Sequence, residues 1–252
     1  MKGARFVSVL LRRADLRTAF PPRFVARLKG RTVARVDRRA KYLLAVLSSG
    51  DTLLMHLGMS GSFRVERALH TVKHDHVVFR MSSGCLVTFN DPRRFGLMDL
   101  LTPRQLAAHA TLSRLGPEPL SAAFDAAALA RACRGKKTSL KAALLDQRVV
   151  AGLGNIYVVE ALYLARLSPL RRASTIATPS GAPRPAAFRL AAAIKKVLED
   201  AVDRTSKAYR QSDRFRVYDR AGERCRTPRC TGSIAQRTQA GRTSYYCPVC
   251  QR

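Results

Sequence analysis

Along the first hundred positions, apolar residues gather in short runs of strand length, and beyond them they recur at helical spacing. The runs Phe6–Leu11, Tyr42–Leu47, Thr52–Leu57, His76–Met81, Leu86–Phe89 and Leu97–Leu101 are rich in Val, Leu, Phe and Met, the composition of half-buried or buried strands. Ser48-Ser49-Gly50-Asp51, Ser82-Ser83-Gly84 and Asn90-Asp91-Pro92 separate them with residues that favour turns. Short strands at this spacing bury their apolar faces by stacking two sheets, so a β-sandwich is predicted. From Thr102 onward, apolar positions three and four apart predict helices over Pro103–Leu115, Ala122–Cys133, Ser139–Leu145, Ile156–Ala165 and Pro185–Val202. Residues 168–185, with four prolines among small side chains, read as a connection. From Phe215 the chain is too poor in apolar residues to fold without a staple. The fold class is therefore α+β, divided as a sandwich over 1–115, a helical domain over 116–214 and a small module over 215–252. No internal repeat is visible.

Charge narrows the partner. The 252 residues are 46% apolar, enough for two cores, yet Lys and Arg number 46 against 17 Asp and Glu, a formal charge of +29. So large an excess of one sign repels itself in a compact chain unless a polyanion is the usual partner. Nucleic acid is the first candidate, because each neutralised phosphate releases counterions. A ribosomal or other RNA-binding protein would share this balance, so charge alone names a polyanion. No apolar run approaches the roughly 18 to 20 residues that cross a bilayer. The apolar stretch Val7–Leu11 is short and lacks a small-residue cleavage site, so no signal peptide is expected. A cytoplasmic location is expected, and a monomer.

Four of the six cysteines lie in the last 28 residues. Cys225 and Cys230 are separated by four residues, and sixteen residues later Cys247 and Cys250 are separated by two. Two closely spaced pairs on a hairpin can supply the four soft ligands of a tetrahedral zinc ion, and four thiolates leave no open position for a substrate. Two disulfides or free thiols are the competing readings. The hairpin between the pairs carries Arg237 and Arg242, a cationic finger. Cys85 and Cys133 lack neighbours of ligand type and are expected to be buried thiols.

Three further segments set polar groups beside glycines: Arg38–Leu44 (RRAKYLL); His56–Gly61 (HLGMSG), followed by Lys73–His76 (KHDH) and Asp91–Gly96 (DPRRFG); and Asp146 through Gly152–Tyr157 (GLGNIY). Asn155 fits a helix N-cap, with amides beyond it suited to a phosphate. Singly, each has a bland explanation: a core histidine, a solvated Arg-Arg turn, a capped loop. In this order, with LGPEPL at Leu115–Leu120 and the cysteine module last, they resemble the formamidopyrimidine-DNA glycosylase and endonuclease VIII family, on its formamidopyrimidine branch. The resemblance covers nearly the whole chain. It implies a β-sandwich, a helical half with a helix–two-turn–helix element and a zinc ribbon. The implied activity is base excision repair: removal of oxidised or ring-opened purines from duplex DNA, with β,δ-elimination at the abasic site.

Roles follow for matching positions. The resemblance makes Lys41 the lysine that approaches the lesion and assists elimination. It makes Met59, Arg93 and Phe95 the wedge that fills the gap left by an everted nucleotide. It makes His74, Arg93, Lys137, Lys141 and Asn155 contacts to DNA. Arg242 corresponds to the hairpin arginine that holds the lesion phosphate and serves the second elimination, and Cys225, Cys230, Cys247 and Cys250 to the ligands of one structural zinc ion.

Two departures from the family pattern carry expectations. Family members open with Pro-Glu-Leu-Pro-Glu after the initiator, and the proline amine is the nucleophile. An α-amine, with a pKa of about 7.7 to 8.0, keeps a usable neutral fraction at physiological pH. Met1-Lys2-Gly3-Ala4 offers no such start. If the chain begins at Met1, excision through the usual amine is not expected, and the alternative is a non-catalytic protein that binds damaged DNA. The second departure is a shortened stretch at Ser206–Phe215, where the family carries a longer loop over an everted 8-oxoguanine; a lowered preference for that lesion is expected. An RNA-binding zinc-ribbon protein, the remaining class, would explain the charge but not HLGMSG together with DPRRFG.

Overall fold

The computed structural model describes residues 1–203, 215–239 and 241–252. The shortening expected at Ser206–Phe215 falls, but for Phe215, outside them. The chain forms two compact units, Met1–Arg114 and Leu115–Arg252.

The first unit contains β1 (Phe6–Leu11), α1 (Phe24–Leu28), β2 (Val33–Arg39), β3 (Tyr42–Leu47), β4 (Thr52–His56), β5 (Ser62–Glu66), β6 (Asp75–Met81), β7 (Leu86–Asn90), β8 (Leu97–Leu101) and α2 (Pro103–Ala107). Two four-stranded sheets, ordered β1-β6-β7-β5 and β2-β3-β4-β8, are antiparallel throughout. Phe6, Leu53, Met55, Val77, Phe79, Phe89, Met98 and Leu100 fill the core of this sandwich. Phe6 and Phe79 meet edge to face at 5.4 Å, the arrangement that ring quadrupoles favour.

Strands β2 and β5 lie outside the predicted runs, and both are sheet edges. In β2 only Val33 is buried among VARVDRR, and no residue of β5 is. Such edges read as polar because charges there block further pairing. The helix predicted over Pro103–Leu115 stops at Ala107, with a single 3-10 turn following at Leu112–Arg114. Thr102 and Gln105 form a capping box, but no residue of α2 is buried, and a short helix without packing does not propagate.

The second unit holds α3 (Ala126–Cys133), α4 (Leu140–Leu145), α5 (Asn155–Leu164), α6 (Pro185–Val202) and a hairpin of β9 (Ala235–Gln239) with β10 (Arg242–Tyr246). The start of α3 lies four residues beyond the predicted Ala122 because Asp125 caps it, its carboxylate accepting from the Ala128 N–H at 2.7 Å. Helix α5 is apolar on two faces. Val158, Ala161 and Leu162 join the helical core with Phe124, Leu129, Leu144, Leu190 and Ile194. Val159 and Tyr163 instead join Val217, Ile234 and the cysteines. The cysteine module packs on α5 within the second unit. Among the described residues, no helix is long and apolar enough to cross a membrane.

Candidate nucleic-acid interface

Antiparallel pairing brings the β2–β3 turn, the β4–β5 turn, the start of β6 and the β7–β8 loop to one end of the sandwich, and the predicted residues of the first unit lie there. Met59 and Phe95 are 66% and 43% exposed. The Arg93 guanidinium carbon sits 4.9 Å above the Phe95 ring, a cation–π contact. Gly58 lets the two turns touch: at φ 68°, a Cβ there would stand 2.4 Å from the Phe95 carbonyl carbon. Lys41, exposed in the β2–β3 turn, follows Ala40, whose carbonyl accepts from Arg38 at 2.8 Å. His56 accepts the Gly58 N–H on Nδ1 at 2.9 Å. Burial, then the charges of Lys41 and Arg17, push its pKa down.

His74 adopts φ 73° in a loop held from beneath by Asp75. The Asp75 carboxylate, 1% exposed, takes both Arg64 nitrogens at 2.9 Å, the Val72 N–H at 3.0 Å and the Asn90 amide at 2.9 Å. Asn90 also donates to the Lys73 carbonyl at 2.8 Å. Burial alone would raise the Asp75 pKa, but these donors outweigh it and hold the carboxyl well below its usual range.

In the second unit, α4, the turns at 146–154 and α5 form the helix–two-turn–helix element. The Gln147 amide knits the turns, donating to the Leu145 and Leu153 carbonyls at 3.0 Å and accepting the Gly152 N–H at 2.8 Å. Lys137 is exposed, and the carbonyls on either side of it are fixed by Ser174 and Ala173. Arg242, also exposed, opens β10 opposite Gln239.

Two predicted contacts sit differently. Lys141 has no exposed surface; its ammonium donates to the Thr243 carbonyl at 2.9 Å, the Ser244 hydroxyl at 2.8 Å and the Arg242 carbonyl at 3.4 Å. Burial, then the Arg242 charge, lowers its pKa to about 8. The resemblance implied a DNA contact for Lys141; here its ammonium is turned onto the hairpin, which it braces. Asn155 is not the N-cap: Gly154 is, and Asn155, first in the helix, donates to the Thr243 carbonyl at 3.0 Å. Replacing Lys141 by Met, similar in length but without donors, should strand the hairpin carbonyls; amide exchange at Thr243–Tyr246 is expected to accelerate about tenfold, at about one to two hydrogen bonds lost. Unchanged exchange would remove the brace.

The four cysteine sulfurs of the last module all lie within 4.8 Å of one another, the sole such cluster among the described residues. Cys225 and Cys250 are 3.7 Å apart, and Cys230 and Cys247 3.6 Å. A disulfide needs about 2.05 Å, whereas the edge of a tetrahedron with zinc–sulfur bonds of about 2.3 Å is about 3.8 Å. The four thiols could hold a metal ion. Gly232 makes room for them, since a Cβ there would stand 2.9 Å from the Cys247 sulfur. Sequence reasoning missed two groups on α5. The Tyr163 hydroxyl lies 3.3 Å from the Cys225 sulfur and 2.8 Å from the Thr227 hydroxyl. The Glu160 carboxylate accepts the N–H groups of Arg216, Val217 and Tyr218 at 2.9 to 3.0 Å. Cys133 is buried and pushed up to about 11 by that burial, as expected of an inert thiol, whereas Cys85 is only half-buried.

Comparison with known proteins agrees along the chain. The family model of the formamidopyrimidine-DNA glycosylase N-terminal domain matches residues 1–98, and that of the formamidopyrimidine-DNA glycosylase H2TH domain matches residues 115–213. The chain is 53% identical to the formamidopyrimidine-DNA glycosylase of Bradyrhizobium sp. (strain ORS 278) and 54% identical to that of Rhodopseudomonas palustris (strain HaA2), covering 100% of itself and 94% of each. The Lactococcus lactis enzyme, solved non-covalently bound to DNA containing an abasic site, superposes with a TM-score of 0.88 at 29% identity over 100% of this chain and 94% of that one. The Thermus thermophilus protein superposes at 0.82 with 37% identity, over 100% of this chain and 92% of that one.

Proposed function

The chain belongs to the formamidopyrimidine-DNA glycosylase family, and from that membership we propose that it removes oxidised or ring-opened purines from duplex DNA and cleaves the abasic site by β,δ-elimination. The observation that carries this reading is the trio Met59, Arg93 and Phe95, two of them large apolar side chains left in solvent at the same end of the sandwich. Exposed apolar groups beside cations suit a duplex: flipping a nucleotide costs a few kcal/mol of stacking, which an inserted wedge offsets. Arg93 over Phe95 would face the orphaned base. Relatives of this chain have been solved on abasic-site DNA and on DNA containing a formamidopyrimidine lesion.

Around the wedge, Lys41 would assist elimination, with His74 and Lys137 as further contacts to the duplex. Arg242 would hold the lesion phosphate, its strand placed by Lys141 and Asn155. Three parts divide this work: residues 1–115 for eversion and chemistry, 116–214 for grip, 215–252 for the phosphate. Zinc on Cys225, Cys230, Cys247 and Cys250 would supply fold rather than reaction, since four thiolates leave no open position. A chain so cationic would reside with the nucleoid in the cytoplasm.

The test is incubation of the zinc-loaded protein with end-labelled duplex bearing one formamidopyrimidine. Release of the base and a one-nucleotide gap are expected of protein that carries the family's N-terminal proline amine, with the intact duplex untouched. Selective lesion binding without release would identify a non-catalytic binder, and equal affinity for both duplexes would end the reading.

A further inference from the structure

We propose that Asp91, acting through Ser60, is the positioning group that locks the two wedge turns into one stiff insert; this rests on the wedge reading above. The Asp91 carboxylate has no exposed surface, and no Lys or Arg pairs with it among the described residues. One oxygen accepts the Ser60 hydroxyl and the other the Gly96 N–H at 2.8 Å. The same Ser60 hydroxyl oxygen accepts the Arg93 N–H at 3.1 Å. Ser60 follows Met59, and Arg93 and Gly96 bracket Phe95, so one carboxylate and one hydroxyl join all three wedge residues. The Asp91 backbone extends the tie: its N–H donates to the His74 carbonyl at 3.1 Å, and its carbonyl is 2.9 Å from His76 Nε2.

A buried carboxylate without a cation is costly to keep in the fold. What Asp91 offers in exchange is rigidity where packing supplies none, because the wedge side chains stand in solvent. Base stacking resists insertion, so a wedge on a loose base would yield before the stack does. Two turns pinned to one buried point do not yield.

The test compares Ser60→Ala, Ser60→Thr and Asp91→Asn with the wild type, using a duplex that carries a tetrahydrofuran abasic-site analogue opposite 2-aminopurine. Insertion changes the fluorescence of that base. Ser60→Ala and Asp91→Asn are expected to cut the insertion equilibrium about tenfold, the scale of one or two hydrogen bonds. Affinity for intact duplex should stay within about twofold, and Ser60→Thr, which keeps the hydroxyl, should recover the signal. Met59→Ala with Phe95→Ala is the control. If the control abolishes the signal while Ser60→Ala and Asp91→Asn keep it, the positioning role is wrong and the wedge stands. If the control leaves the signal intact, the wedge reading falls and this proposal with it. Parallel loss of signal and intact-duplex affinity would mark Asp91 as merely structural and overturn the proposal.

Discussion

If the four cysteines hold zinc as proposed, removing it by chelation or by Cys225→Ser is expected to cost the protein at least about a hundredfold in affinity for lesion-bearing duplex, while the helical core stays folded. The module has almost nothing else to fold on. Its buried cluster consists of Val217 and Ile234, three of the cysteines, and two side chains borrowed from α5, Val159 and Tyr163. So small a core cannot offset the entropy of ordering a segment this long, whereas structural zinc contributes on the order of 10 kcal/mol in comparable peptides. When the hairpin melts, Arg242 loses its strand. Lys141 loses three acceptors in a place without solvent, which turns a brace into a buried unpaired charge. Zinc release followed by a chromophoric chelator, amide exchange over residues 215–252 and duplex binding report the three consequences in turn. Cys85→Ser, in the first unit and not part of the four-sulfur cluster, should change none of them. Undiminished lesion binding by metal-free protein would show that the hairpin stands without its staple.

Much of this is legible in the chain because several constraints act on the same residues. Strands β1, β3 and β8 carry a chemistry in which length, composition and turn punctuation agree, and their predicted bounds match the observed ones. The cysteine spacing announces a four-sulfur cluster for the same reason: few arrangements of two pairs on a hairpin do anything else. Where a single signal has to serve, it misleads. Residue type does not show where the Lys141 ammonium points, and only packing reveals it turned inward onto three hairpin oxygens. Asn155 looks like a cap from its residue type, but the local dihedrals give that place to Gly154 and spend the amide on Thr243. Asp75 and Asp91 lie inside the motifs KHDH and DPRRFG, yet a carboxylate between basic neighbours reads as solvated charge. Their burial depends on strands β5 and β7, whose pairing is non-local and invisible to any window along the chain.

Asp75 gives the second large effect. Asp75→Asn is expected to lower the stability of the first unit by about 3 kcal/mol at neutral pH, the lower end of what breaking a buried ion pair costs, because Arg64 keeps partial access to water. The amide has nearly the carboxylate's shape, but it turns a donor toward a site where the Arg64 guanidinium, the Val72 N–H and the Asn90 amide all donate. Acid should erase the difference. The folded-state pKa of Asp75 lies below its ordinary value of 3.8, so its contribution is complete above that value and fades as pH falls through it toward the folded-state pKa. Urea unfolding monitored from pH 7 to pH 2 should therefore show the wild type losing stability faster than the variant, with the two curves converging in acid. Curves that stay parallel would mean that Asp75 is held by shape alone. The same variant leaves Arg64 bound to the loop that ends at His74 through the His70 carbonyl alone, at 3.0 Å, so its grip on duplex DNA should weaken alongside its stability, and amide exchange at residues 70–75 would show whether the loop itself has come loose.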